Sequence, residues 1–121
     1  MPIQKILLVD DSRTELHHIG EMLRKAGYSV RTAENGQQAL TSLAEDKPDL
    51  ILMDVVLPGA NGFQLTRTIT RDERYADLPV IICSSKGQTT DKVWGMRQGA
   101  RDYVVKPVDS AELLAKIRAL G

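Results

Sequence analysis

"ILLVDDS", residues 6–12, is an apolar run of strand length that leads directly into two adjacent carboxylates. An apolar run without alternation is typical of a strand covered by helices on both faces of a parallel sheet. Ser12 follows the acidic pair and has Glu15 three residues later, which is the spacing of a helix N-cap and its capping box. The stretch therefore predicts a buried strand, an acidic pair at the sheet edge and the start of a helix.

Further apolar runs of strand length follow this one, and stretches with helical spacing of apolar residues lie between them. Counted from the first, the runs are 5–10, 28–33, 49–54, 78–84 and 101–106. The helical faces expected to be buried are Leu16, Ile19, Leu23 and Ala26; Ala39, Leu40, Leu43 and Ala44; Phe63, Thr66, Ile69 and Thr70; and Leu113, Leu114, Ile117 and Leu120. This alternation predicts a doubly wound α/β domain with a five-stranded parallel sheet flanked by five helices.

The composition is that of an ordinary globular chain of one domain. Its 121 residues include 42% apolar and 26% charged residues, and sixteen basic side chains balance sixteen acidic ones. No overall positive field is present to attract nucleic acid or anionic lipid. The N-terminal segment lacks a signal-peptide core and no stretch is long enough to span a membrane, so we expect a cytoplasmic protein without membrane insertion. Cys83 lies inside an apolar run, which favours a buried thiol over a reactive one.

The informative polar residues lie at the ends of the predicted strands. Asp10 and Asp11 follow the first strand, Asp54 the third and Lys106 the fifth, and Ser84 ends the fourth. Right-handed crossovers place the carboxyl ends of parallel strands at one edge of the sheet, where ligands of open α/β sheets bind. If the first and third strands are neighbours, the three aspartates converge on an acidic pocket whose oxygen ligands suit Mg²⁺. Without a metal ion, the three charges would repel and raise one another's pKa.

Lys106 and Ser84 would face the same pocket from the far side of the third strand. An ammonium group and a hydroxyl beside a carboxylate and Mg²⁺ form a binding site for the three equatorial oxygens of a phosphoryl group in transfer. An aspartate held in line with such a group can attack phosphorus and form an acyl phosphate. Asp54 is therefore the candidate acceptor, with Lys106 and Ser84 as candidate catalytic residues.

Four separated segments together resemble the CheY-like receiver domain of bacterial two-component response regulators. They are "LLVDDS" at 7–12, "ILMDVVLPGANGF" at 51–63, "VIICSSK" at 80–86 and "GARDYVVKPVD" at 99–109. The resemblance implies a flavodoxin-like sheet with strand order 2-1-3-4-5 and a single receiver domain over 1–121, without an output domain. It also implies a signalling protein, and not an enzyme that turns over an external substrate. The run 90–109 is most similar to stand-alone regulators of type IV pilus (twitching motility) chemotaxis systems.

The resemblance also implies a role for each matching residue. Asp54 matches the phospho-acceptor, Asp10 and Asp11 the acidic pair at the Mg²⁺ site, and Val56 the residue whose backbone carbonyl completes the metal ligands. Lys106 matches the phosphate-binding lysine, Ser84 the switch hydroxyl and Tyr103 the aromatic ring that swings inward behind it. The bond from Lys106 to Pro107 is usually cis in the family.

The partners implied by the resemblance are proteins. A CheA-like histidine kinase is the phosphodonor, and a downstream protein binds the face formed by the fourth helix, fifth strand and fifth helix of an expected monomer. Tyr103 would lie at the centre of that face and Trp94 at one margin, although core packing is the simplest role for Trp94 taken alone. Val56 and Lys86 flank the route of the attacking water in receivers. Neither has a carboxylate or amide to orient that water, so the lifetime of the phosphoryl group is left open.

Several other functions are compatible with part of this pattern. A receiver of this kind can also act as a phosphate sink that drains a shared kinase. A haloacid-dehalogenase-like phosphatase would need a second carboxylate two residues after Asp10, where Ser12 stands. A flavodoxin-like electron carrier would need a phosphate loop in place of the acidic "DDSRTE" at 10–15. An inactive receiver used only for docking would not need the complete set of polar residues found here, which are Asp10, Asp11, Asp54, Ser84 and Lys106.

Overall fold

The computed structural model describes residues 2–121 and contains the predicted five-stranded parallel sheet. The strands are β1 (Lys5–Val9), β2 (Ser29–Ala33), β3 (Leu50–Met53), β4 (Val80–Ser84) and β5 (Asp102–Val105), in the order β2-β1-β3-β4-β5. The helices are α1 (Arg13–Lys25), α2 (Gly36–Glu45), α3 (Gly62–Arg71), α4 (Thr89–Arg97) and α5 (Ser110–Leu120). The doubly wound α/β fold and the strand order are thus confirmed.

The core has a layer on each face of the sheet. Alternate residues of β1 point to opposite faces, so Ile6 and Leu8 pack with α1 and α5 while Leu7 and Val9 pack with α2 and α3. Strands β1, β3 and β4 are buried almost throughout, as their continuous apolar sequences predict. Among residues 2–121, no helix has the length and apolar content needed to cross a membrane.

The predicted buried faces of α3 and α5 are confirmed at Phe63, Thr66, Ile69, Leu113 and Ile117, while Thr70, Leu114 and Leu120 are half-buried. The faces predicted for α2 and α1 need correction. Leu40 and Ala44 are exposed, and α2 buries Gly36, Ala39, Ser42 and Leu43 instead. Successive helical residues are turned by about 100°, so only one of two adjacent apolar stripes can face the sheet. Ala26, expected on the buried face of α1, is the exposed C-cap of that helix.

A small antiparallel hairpin after β3 was not predicted. It pairs Val56–Leu57 with Ala60–Asn61, and two-residue strands are too short to show alternation. The turn is made by Gly59 at a φ of 64°. The Asn61 side chain accepts a hydrogen bond from the Phe63 amide at 2.8 Å and caps α3. The hairpin therefore returns the chain to Asp54.

Gly62 begins α3 where the helix meets the backbone at the end of β3. A Cβ atom at this position would lie 2.0 Å from the Asp54 carbonyl oxygen and 2.7 Å from Val55 Cα. These are backbone atoms, so they cannot swing away as the tip of a side chain can. The close approach explains why only glycine fits between Asp54 and α3.

We expect Gly62→Ala to lower the free energy of unfolding by about 3 kcal/mol, because the added Cβ overlaps backbone. Gly59→Ala is the matched control, since nothing lies within 4 Å of its added Cβ. It should lose only about 1 kcal/mol, from the positive φ. Urea unfolding measures both variants. Equal losses would show that Gly62 is not needed for close approach.

Candidate functional site

Strand register brings the predicted aspartates together. β1 and β3 pair Val9 with Met53, so Asp10 and Asp54 follow aligned residues on neighbouring strands. The Asp54 amide donates to the Val9 carbonyl at 2.9 Å, which holds the two strand ends in register. Asp10, Asp11 and Asp54 each offer a carboxylate oxygen, and these oxygens lie within 4.8 Å of one another. The predicted acidic pocket is present.

Lys106 reaches this pocket from the end of β5. Its backbone amide donates to the Ser84 carbonyl at 2.9 Å, and its bond to Pro107 is cis. Its ammonium nitrogen lies 2.6 Å from an Asp10 oxygen and 3.7 Å from an Asp54 oxygen. One cation therefore contacts carboxylates from two other strands.

Burial and charge shift the pKa values of these groups. The pKa of Asp54 is raised from 3.8 to about 6, first because burial disfavours its charged form. The charge of Lys106 opposes this rise, whereas the charges of Asp10 and Asp11 add to it. Repulsion between carboxylates thus acts as expected but is not the main cause. Burial works to lower the pKa of Lys106, but its hydrogen bond to Asp10 and the nearby carboxylates outweigh burial and raise it.

The donor atoms at this pocket fit a hard divalent cation. Asp10 is only 2% exposed, and its second oxygen accepts the Ser12 amide at 3.0 Å, so its carboxylate is held rigidly. Asp11 is exposed beside it and gives access from solvent. Val56 lies in the hairpin after Asp54. Its side chain is apolar, so only its backbone carbonyl oxygen could bind a metal ion. Three carboxylates around one point form the oxygen-rich site that Mg²⁺ prefers.

Ser84 and Tyr103 lie behind the acidic pocket and are joined through the Lys86 backbone. Ser84 is fully buried, and its hydroxyl accepts the Lys86 amide at 3.2 Å. The Tyr103 hydroxyl donates to the Lys86 carbonyl, and its ring is buried. Burial raises the pKa of Tyr103, and hydrogen bonding with Ser84 works in the opposite direction. The backbone of one residue thus connects the candidate switch hydroxyl, through its amide, to the candidate switch ring, through its carbonyl, a link that the sequence did not reveal.

Trp94 is not a core residue, so the interpretation of core packing was wrong. Its side chain is 49% exposed, because the adjacent Gly95 is the residue by which α4 contacts the sheet. Sequence periodicity could not show this, since α4 has no apolar stripe that selects one face. Cys83 is buried as predicted, and burial raises the pKa of its thiol to about 12.

The chain belongs to the family of response regulator receiver domains, whose family model matches residues 6–118. Protein PilH of Pseudomonas aeruginosa is 53% identical to it over 116 residues, which cover 96% of each chain. The phosphate regulon transcriptional regulatory protein PhoB of the same organism is 43% identical over 95% of this chain and 50% of that protein.

Solved structures agree with this assignment. The chemotaxis response regulator CheY4 of Vibrio cholerae superposes with a TM-score of 0.90 at 28% identity, covering 98% of this chain and 99% of that one. The BeF3-activated DrrB receiver domain gives a TM-score of 0.87 at 29% identity, covering 99% and 97%. The resemblance to receivers, and to PilH in particular, is confirmed, and the phosphatase alternative is not favoured.

We expect Asp54→Asn to stabilise the metal-free protein in a pH-dependent way. The folded state binds the Asp54 proton more tightly than the unfolded state. Burial of this group therefore does not lower the free energy of unfolding below about pH 4, and it lowers that free energy by the largest amount above about pH 6. A pKa raised from 3.8 to about 6 corresponds to about 3 kcal/mol. The advantage of the variant should therefore grow through this pH range and then level off.

The measurement is urea unfolding with EDTA at a series of pH values. Asp77→Asn, at an exposed position before β4, is the control and should follow the wild type throughout. An advantage of Asp54→Asn that does not change with pH would contradict the assigned pKa.

Proposed function

We propose that Asp54 accepts a phosphoryl group from a histidine kinase in a Mg²⁺-dependent reaction. The observation that carries this proposal is the contact of Lys106 with Asp10 at 2.6 Å and Asp54 at 3.7 Å, at the aligned ends of three strands. A buried carboxylate beside a cation and two further carboxylates is suited to in-line attack on phosphorus.

The transfer conserves atoms and charge. An Asp54 oxygen forms a bond to phosphorus while the phosphorus–nitrogen bond of the kinase phosphohistidine breaks. The imidazole nitrogen keeps the electron pair of that bond and takes a proton from solvent. The product is an acyl phosphate on Asp54 and a neutral histidine on the kinase. Even without metal, Asp54 is mostly ionised above about pH 6, and the ionised carboxylate is the form that attacks.

Asp10, Asp11 and Asp54 would hold Mg²⁺, together with the backbone carbonyl of Val56. Bound there, the ion neutralises negative charge that develops on the phosphoryl oxygens. Hydrogen bonds from the Ser12 amide and from Lys106 fix the Asp10 carboxylate, so it would be a rigid ligand. Asp11 is exposed, so the ion could reach it from solvent.

Lys106 and Ser84 would bind the oxygens of the transferred group. Lys106 already lies between two carboxylates, so a new phosphoryl group on Asp54 offers it a stronger partner nearby. The Ser84 hydroxyl accepts the Lys86 amide, and its own proton can at the same time be donated to the phosphoryl group. A shift of Ser84 towards that group would move the Lys86 backbone and so carry the change at Asp54 towards Tyr103.

The pathway we infer is type IV pilus chemotaxis, with a CheA-like kinase as phosphodonor. This inference rests on the similarity to PilH, which extends over 96% of both chains. PhoB, in contrast, is matched over only 50% of its length. Similarity over the whole of a relative supports a shared role better than similarity to one part of it.

We assign the output surface to the face formed by α4, β5 and α5. Three large apolar side chains of α4 are exposed: Val93 by 46%, Trp94 by 49% and Met96 by 46%. Tryptophan and methionine are enriched in protein interfaces, and tryptophan is among the residues whose truncation most often costs affinity. The proposed occupant is a downstream protein that recognises the phosphorylated form of a monomer.

We expect acetyl phosphate with Mg²⁺ to add one phosphoryl group to the wild type and none to Asp54→Asn, by intact mass. Lys106→Ala should slow the reaction about a hundredfold, because it removes a cation from the developing charge. Lys116→Ala is the matched control, since this lysine pairs with Asp102 away from the site. Labelling of Asp54→Asn to the wild-type level would refute the assignment of the acceptor.

A further inference from the structure

Helix α4 packs on the sheet through a residue that has no side chain. Gly95 is the residue that α4 buries among its described positions. A Cβ atom at Gly95 would lie 2.8 Å from Ile82 Cδ1 and 3.1 and 3.2 Å from two atoms of the Tyr103 ring. Ile82 Cδ1 and the ring therefore share the space that any larger residue at position 95 would need.

Glycine is an unfavourable residue for the interior of a helix. It destabilises a helix by roughly 1 kcal/mol relative to alanine, so its presence requires a compensating contact. Gly20 in α1 is an instructive comparison, because its added Cβ would meet only the mobile guanidinium of Arg24 at 3.2 Å. At Gly95 the obstructing groups are Ile82 Cδ1 and a buried aromatic ring, and the ring has much less freedom to move than an exposed guanidinium.

The Tyr103 ring is also connected to the candidate phosphoryl site. Its hydroxyl donates to the Lys86 carbonyl, and the Lys86 amide donates to the Ser84 hydroxyl at 3.2 Å. The buried position of the ring thus helps to fix the Lys86 carbonyl, and the amide of the same residue contacts Ser84. Displacing the ring would disturb the hydrogen bonds of Ser84 without touching any residue of the acidic pocket.

We infer that Gly95 is a positioning residue: its missing side chain allows the Tyr103 ring to adopt the buried position and thereby sets how readily the Asp54 site binds a phosphoryl group. The inference rests on the function proposed above for Asp54. A ligand that binds one conformation better loses apparent affinity by the factor by which that conformation is depopulated. Gly95→Ala would depopulate the conformation with the ring buried.

The test is the affinity for beryllofluoride, a stand-in for the phosphoryl group, measured with saturating Mg²⁺ by Trp94 fluorescence. Gly95→Ala should weaken this affinity about fivefold, a modest change expected from a clash of a few tenths of an ångström. Its Tyr103 ring protons should shift in the NMR spectrum of the unliganded protein. Gly20→Ala, the matched control, should leave both the affinity and the ring signals unchanged.

Repeating the substitution in a Tyr103→Ala variant separates a positioning role of Gly95 from a general loss of stability. In Tyr103→Ala there is no ring to displace, so adding Gly95→Ala should change the beryllofluoride affinity by less than about twofold. Thermal unfolding of every variant confirms that it is folded at the temperature of the titration. A merely structural role for Gly95 would give the same effect with and without the ring.

Two results would overturn the inference. If Gly95→Ala binds beryllofluoride as tightly as the wild type, Gly95 has no positioning role, although Asp54 can still be the acceptor. If the wild type itself fails to bind beryllofluoride with Mg²⁺, the proposed function of Asp54 fails and the inference fails with it. The two failures are therefore distinguishable.

Discussion

The hydrogen bond of 2.6 Å between the Lys106 ammonium and the Asp10 carboxylate joins the last strand of the sheet to the first. Asp10 and Asp54 are both nearly buried, and burying a carboxylate without a partner is costly. Lys106 compensates part of this cost, but one cation faces two carboxylates, with a third nearby. The remaining negative charge is what suits the pocket to a divalent cation.

The fold and this pocket could be predicted because both follow from local patterns. Each strand is a short apolar run, and parallel strands in register place the residues after them side by side. Asp10 and Asp54 follow Val9 and Met53, which are paired, so the pocket follows directly from the order of the strands. Chemistry at strand ends is therefore visible in a sequence when the strands are clear.

Other features depend on packing between elements, which a sequence pattern does not determine. The rotation of α2, which exposes Leu40, is selected by the fit of the helix to the sheet. The exposure of Trp94 follows from the contact of Gly95 with the Tyr103 ring. The link from Ser84 to Tyr103 uses the backbone of Lys86, and backbone hydrogen bonds carry no residue-specific signal. The candidate reactive groups thus lie at the ends of strands, whereas the proposed output surface includes a helix with few buried residues.

Crowded, partly buried carboxylates would create the proposed Mg²⁺ site, and such a site releases protons when the ion binds. Asp54 has a pKa of about 6 without metal, and a bound cation favours its ionised form. Calorimetric titration with Mg²⁺ in buffers of different ionisation enthalpy should show release of about half a proton at pH 6 and almost none at pH 8. Magnesium binding without proton release at pH 6, or no binding at all, would contradict the proposed origin of the Mg²⁺ site.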